Sequence, residues 1–114
     1  MNNESKKTTE NIDVCLLLDF YGLLLTEKTR EILEFHYAED MSLSEISDQY
    51  HITRQAVHDS IRRGVQTLQE YEEKLNLLHR FTMQKNCIRE AICDIESGEI
   101  AAAKEKLTQL TQMI

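Results

Sequence analysis

The chain has 114 residues, 41% of them apolar, with 13 Lys plus Arg against 20 Asp plus Glu and a formal net charge of −7. That is one ordinary domain's worth of sequence, too short for a large two-domain enzyme. The acidic balance excludes an indiscriminate nucleic-acid coat or a membrane-surface protein, since both need a strong positive field, but leaves room for a small local basic face.

With no proline, three glycines (Gly22, Gly64, Gly98) and apolar residues recurring at three and four, the pattern predicts an all-α fold. No run of eighteen apolar residues exists, and MNNESKKTTENID lacks the apolar stretch of a secretory signal, so no membrane insertion and a cytoplasmic location are expected. Cys15, Cys87 and Cys93 match no disulfide framework or C-x-x-C pair, which predicts reduced, partly buried thiols.

Residues 1–10 are polar with no apolar face and are expected to form a disordered tail. Ile12, Leu16, Phe20 and Leu23 make a helical stripe, thickened by Cys15, Leu17, Leu18 and Leu24, that Gly22 ends or bends. Thr26 caps a second helix, EKTREILEFHYAE, with Ile32, Leu33, Phe35 and Tyr37 on its buried face. Ser42 opens a capping box with Glu45 and a short third helix over 43–50. Thr53 then caps a fourth, whose apolar positions Val57, Ile61, Val65, Leu68, Tyr71, Leu75 and Leu78 carry it nearly to Arg80. Such a helix would be about 40 Å long, more than this small domain can cover. A helix over 83–96, a stop at Ser97-Gly98 and a last helix from Ile100 to Ile114 complete the chain.

The segment from Ser42 to Arg63 is two short helices joined by a tight turn, a helix-turn-helix arrangement whose small core is Ile46, Ile52, Val57 and Ile61. Histidine at 51 takes the turn position where glycine is usual, and is among the better non-glycine residues at positive φ. On the opposite face of helix four lie Arg54, Gln55, His58, Asp59, Arg62 and Arg63. Arginine engages guanine and glutamine engages adenine by paired hydrogen bonds, while Thr53 and the first amides of the helix suit a phosphate. The expected contacts are therefore Thr53, Arg54, Gln55, His58, Arg62 and Arg63, and the expected partner is duplex DNA, with RNA as the other nucleic acid. Asp59 opposes phosphates unless it accepts from a cytosine amine, and Arg62 and Arg63 could instead pair with Asp59 and Glu70 along the helix.

SLSEIS followed by ITRQAVHDSIRR resembles the helix-turn-helix in the fourth region of bacterial sigma factors. The longer run from Phe20 to Arg63, with the acidic YEEKL after it, resembles the YlxM family of small bacterial helix-turn-helix proteins across roughly residues 12–80. Thr53 to Val57, Tyr37 to Asp40 and Tyr71-Glu72 carry that resemblance. Departures are His51 for the turn glycine, His58 where a tyrosine is common, and Gly64 inside the long helix. The resemblance implies a regulator associated with the signal recognition particle.

The predicted organisation is a tail over 1–10, a helix-turn-helix domain over 11–80 with its motif at 42–63, and a C-terminal helical region over 81–114 for packing or oligomerisation. His36, His51, His58 and His79 lack zinc-site spacing, and no phosphate loop, nucleophile elbow or cofactor fingerprint is present, so neither a metal, a cofactor nor an enzyme is expected. Two function classes remain: a nucleic-acid reader, and a protein adaptor whose acidic helices, with Glu70, Glu72 and Glu73, bind components of the targeting particle and tune their GTP cycle. The apolar stripes at Leu68–Leu78 and Ile100–Ile114 predict self-association, with a two-fold dimer favoured.

Overall fold

The computed structural model describes residues 13–113, and the expected tail lies outside the described residues. Helix α1 is described over 13–21 and runs into a 3-10 turn, Gly22–Leu24. Helix α2 (Glu27–Leu33) continues as a π turn, Glu34–Ala38, and is followed by α3 (Leu43–Tyr50), α4 (Arg54–Leu75), α5 (Leu77–Glu96) and α6 (Ile100–Met113). The described residues are helical without strands, as the apolar spacing predicts. None of their helices is long and apolar enough to cross a membrane. The chain divides into two compact units, residues 1–76 and 77–114.

Local chemistry sets the helix starts in the first unit. Thr26 accepts a hydrogen bond from the Thr29 amide at 3.3 Å, and Thr53 accepts one from the Ala56 amide at 3.0 Å. Ser42 and Glu45 form the full capping box, both reciprocal bonds at 3.1 Å. Each cap satisfies a donor that the first turn would otherwise leave orphaned, a contribution of about 1 kcal/mol.

The corners after α2 share one device. Asp40 (φ 53°), His51 (φ 55°), Asn76 (φ 59°) and Gly98 (φ 82°) are left-handed, one at each junction from the π turn to α6. His51 thus takes the left-handed backbone its place in the turn requires, and its amide donates to the Ser47 carbonyl.

The core of the first unit gathers Val14, Leu17 and Tyr21 from α1, Ile32 and Leu33 from α2, Ile46 from α3, and Val57, Ile61 and Leu68 from α4. Each such aliphatic side chain, fully buried, contributes roughly 1.5–3 kcal/mol. The expected motif core is present, with Ile46, Val57 and Ile61 buried and Ile52 half-buried. Gly64 lets α4 approach α2: a Cβ there would stand 2.8 Å from Leu33 Cδ1 and 3.0 Å from Thr29 Cγ2. At the other end of α2, the rings of Phe35 and Tyr50 lie 6.3 Å apart, and burial together with the Glu31 and Glu27 carboxylates raises the Tyr50 phenol above its ordinary pKa.

Three local expectations need correction. The buried face of α1 is Val14, Leu17 and Tyr21; of the expected stripe Leu17 is buried, Leu16 and Phe20 are half-buried, Leu23 is 86% exposed, and Ile12 lies outside the described residues. This segment is apolar nearly all round, so spacing alone did not fix which side turns inward. Tyr21 does, because its hydroxyl donates to Glu72 Oε1 at 2.5 Å and its ring stacks on Tyr71 at 6.0 Å. Second, α4 stops at Leu75 instead of running nearly to Arg80, and α5 begins at Leu77 rather than 83. Asn76 turns the backbone left-handed and its amide closes on the Glu72 carbonyl, which makes α4 about 33 Å long. Third, Cys15 and Cys87 are half-buried as expected, but Cys93 is exposed.

The second unit is a hairpin of α5 and α6 around Ser97–Glu99, where Gly98 supplies the positive φ. Ala91 and Ala103 are its buried residues, small enough to let the two helices meet closely. Lys106 lies 2.6 Å from Asp94 and 4.0 Å from Glu90, and Cys87 donates to the Lys106 carbonyl at 3.2 Å.

Candidate nucleic-acid interface

Helix α4 has one side committed to the core. Val57, Ile61, Gly64 and Leu68 are buried at helical spacing. At about 100° per residue, Gln55, Asp59, Arg62 and Gln66 fall on the opposite side. Of the residues expected on that face, Gln55, Asp59 and Arg62 fall there, while Arg54 and His58 fall on its flank, nearer the buried side.

All six expected contact residues are exposed, but they do not form one cluster. Thr53 is at the first amides of α4, with its hydroxyl engaged as the cap. Arg54 starts the helix, and Gln55 lies one turn before Asp59. His58 and Arg62 border an open groove with Tyr37, Gln66 and Gln69, floored by Ile61 and Val65. Arg63 stands apart, against a shallow depression that Thr26, Thr29 and Thr67 share with Leu24 and Leu25. A surface contacting both Arg62 and Arg63 would have to wrap around the outer side of the helix.

Asp59 organises the centre of the face. Its Oδ1 accepts from Gln55 Nε2 at 3.1 Å and from Arg62 Nη2 at 3.5 Å, and it lies 3.9 Å from His58 Nδ1. The pairing anticipated for Arg62 with Asp59 is thus present at long range. With Arg62 71% exposed, such an ion pair is worth little and is readily exchanged. Asp59 therefore holds an amide and a guanidinium side by side, the two groups that can make paired hydrogen bonds to adenine and guanine edges. Glu72, counted with Glu70 and Glu73 as a surface acid, is instead the acceptor for the buried Tyr21 hydroxyl.

The groove adds Tyr37, Gln66 and Gln69 to the residues available for contact. Gln66 and Gln69 continue the Arg62 position at +4 and +7, a signal readable from the helix period. Tyr37 carried no such signal, because it sits on the π turn, where helical spacing no longer applies. Among the described residues no group of three or more His, Cys, Asp or Glu is placed to hold a metal ion.

Comparison with known proteins agrees with this architecture. Residues 7–110 match the model of a family described as "Putative helix-turn-helix protein, YlxM / p13 like". A UPF0122 protein of Desulforamulus reducens is 47% identical over 92 residues, covering 81% of this chain and 79% of the relative. One from Acetivibrio thermocellus is 47% identical over 90 residues, covering 79% and 77%. One from Shouchella clausii is 44% identical over 91 residues, covering 80% and 84%.

Proposed function

Because the chain belongs to the YlxM/p13-like family of helix-turn-helix proteins, we propose that it is a regulatory protein that binds duplex nucleic acid through the outward face of α4. The observation that carries this is the set on the side of α4 opposite its buried residues, where exposed Gln55 and Arg62 each donate to the half-buried Asp59. In the bound state Arg62 exchanges Asp59 for a phosphate or a guanine edge, and Gln55 is released to read an adenine. Arg54, His58 and Arg63 supply flanking phosphate contacts, and the Thr53 end of α4 presents amides to a further phosphate. It is a function of binding and not of catalysis.

The test is binding of mixed-sequence duplex DNA by the full chain across a salt series, beside a variant with Arg54, Arg62 and Arg63 all changed to alanine, and with duplex RNA as a second probe. Each phosphate contact contributes about −0.9 to the slope of log affinity against log salt, so the triple variant is expected to flatten that slope by about 2–3. Absence of binding by the unaltered chain at low salt would overturn the proposal.

The link to the signal recognition particle that the resemblance implies is the narrower form of this function, with a gene or RNA of the targeting machinery as the site read. A second function, as an adaptor for basic protein or RNA-protein surfaces of that particle, is supported by the exposed Glu70 and Glu73 on α4. Glu70→Gln with Glu73→Gln weakens binding to the particle in that case and leaves the duplex affinity undiminished.

A further inference from the structure

The groove on the flank of α4 has a lining that contacts to a paired duplex do not use. It is an open trough of about 590 Å³, within the range of about 300–1,000 Å³ usual for small-molecule sites. His58, Arg62, Gln66 and Gln69 follow at +4, +4 and +3, so they form one polar ridge about 16 Å long on the helix. Beside that ridge the floor is Ile61, which is buried, and Val65, which is half-buried. Tyr37 joins the lining from outside α4, brought there by the π turn. Its ring meets that of His36 edge to face with 4.9 Å between centroids, and His36 Nδ1 donates to the Met41 carbonyl at 3.1 Å. The aromatic side chain is therefore set at the groove in advance of any ligand, on the kind of helical irregularity that recurs at functional sites.

Each part of the lining fits a different part of one nucleotide. The Arg62 side chain is 71% exposed, and its long contact with Asp59 leaves most of the five guanidinium donors for a phosphate, with His58 one turn before it as a further donor. Gln66 and Gln69 stand about 6 and 10 Å further along the axis and carry the donor and acceptor pair that matches adenine. Tyr37 and the aliphatic floor supply a surface on which a base stacks. A paired base cannot use such a surface, because within a duplex it shows only its edge in the groove. An unpaired base offers its faces as well. The floor is also too small for the apolar face of a partner helix, which carries three or four large side chains per two turns against the two aliphatic residues here.

We propose that this groove binds a single unpaired nucleotide, with its phosphate on Arg62 and His58, its base against Tyr37 over Ile61 and Val65, and adenine preferred through Gln66 and Gln69. The site adjoins the duplex face and shares Arg62 with it. A free nucleotide in the groove therefore competes with a paired duplex, whereas an unpaired nucleotide carried by the duplex itself adds to its affinity.

The test has two arms, both with the full chain. In the first, AMP, CMP and ribose 5-phosphate are titrated by calorimetry; in the second, two DNA hairpins are compared, one fully paired and one with a single unpaired deoxyadenosine. A free nucleotide as the natural occupant predicts that AMP binds at least tenfold more tightly than ribose 5-phosphate, displaces the paired hairpin, and leaves the two hairpins equal. A strand as the source predicts that the hairpin with the unpaired deoxyadenosine binds at least tenfold more tightly than its paired counterpart. In either case Tyr37→Ala is expected to remove about tenfold, the weight of one base stack, while leaving the paired hairpin unaffected, and Tyr37→Phe is expected to restore most of it. Gln66→Leu with Gln69→Leu, both on the exposed ridge, should abolish the preference for AMP over CMP. Binding of AMP without any binding of the paired hairpin would refute the duplex function and leave this site standing. AMP no tighter than ribose 5-phosphate together with equal hairpins would overturn the proposal, as would base-dependent binding that Tyr37→Ala does not change.

Discussion

Gly64→Ala isolates the contact that seats α4 on α2. The added Cβ would lie 2.8 Å from Leu33 Cδ1, 3.3 Å from Leu33 Cγ and 3.0 Å from Thr29 Cγ2. Carbon atoms prefer about 3.5–4.0 Å, so the helices must part or Leu33 must turn. Leu33 is fully buried, and close-packed interiors leave little room for such a turn. Alanine contributes about 1 kcal/mol through helix propensity, against roughly 1–3 kcal/mol for overpacking. The expected net is a loss of about 1 kcal/mol, which lowers the melting temperature by about 4–8 °C for a unit of this size. Thermal and urea melts of the full chain measure it. Leu33→Val removes the nearest methyl, so the pair Gly64→Ala/Leu33→Val should be less destabilised than the sum of its singles by about 1 kcal/mol. A rise in stability for Gly64→Ala, or strict additivity of the pair, would refute the close-approach account.

Four further outcomes follow from the same geometry. Asp59→Ala removes a negative charge from the outward face and frees Arg62; duplex affinity should rise and the salt slope steepen by about 0.9, whereas weaker binding at an unchanged slope would mean that Asp59 itself reads a base. Glu72→Ala takes the charged acceptor from the buried Tyr21 hydroxyl and should cost about 1.5–3 kcal/mol in urea melts, with Tyr21→Phe/Glu72→Ala losing less than the two singles added. His51→Gly relaxes a left-handed residue at φ 55° and should raise stability by roughly 0.5–1 kcal/mol; a loss would point to a contact made by the imidazole. The Tyr50 phenol is raised above 10.0 in the fold, so its share of stability is complete below that pH and is lost as pH climbs through the folded value. Urea melts from pH 9 to 11 should show an alkaline loss that Tyr50→Phe reduces, and an identical loss in both proteins would remove Tyr50 as its source.

The parts of the fold legible in the sequence were those written in local chemistry. Ser42, Glu45 and Thr53 announce the helix starts of the motif through side-chain acceptors three residues from the amides they serve, and His51 marks the turn between them. The outward face of α4 followed from the same period that buries Val57, Ile61 and Leu68. What was not legible depended on partners distant in sequence. The inward side of α1 is chosen by Glu72, 51 residues after Tyr21. The end of α4 rests on Asn76, a residue as ordinary on a helix surface as at its end, and the apolar spacing from Leu68 through Leu78 passes over it without a break. Within the site, Arg62 and Arg63 are neighbours in sequence but border different depressions, because adjacent helix positions point about 100° apart.

The one-residue corners bear on how such a chain can change in length. Between the π turn and α6 the connections are residues 39–42, 51–53, 76 and 97–99, each turned by a single left-handed residue. None is long enough to absorb an added residue as slack. At 39–42 or 51–53 an insertion would have to enter a helix and turn the helix residues beyond it by about 100°, carrying the face of α4 away from the side opposite its core. The π turn at Glu34–Ala38 shows the other way to house an extra residue: the Glu39 amide reaches back five places to the Glu34 carbonyl, one more than an α-helix spans. Upstream of the motif, a wider turn can take up a residue that the corners cannot, leaving the register of α3 and α4 intact.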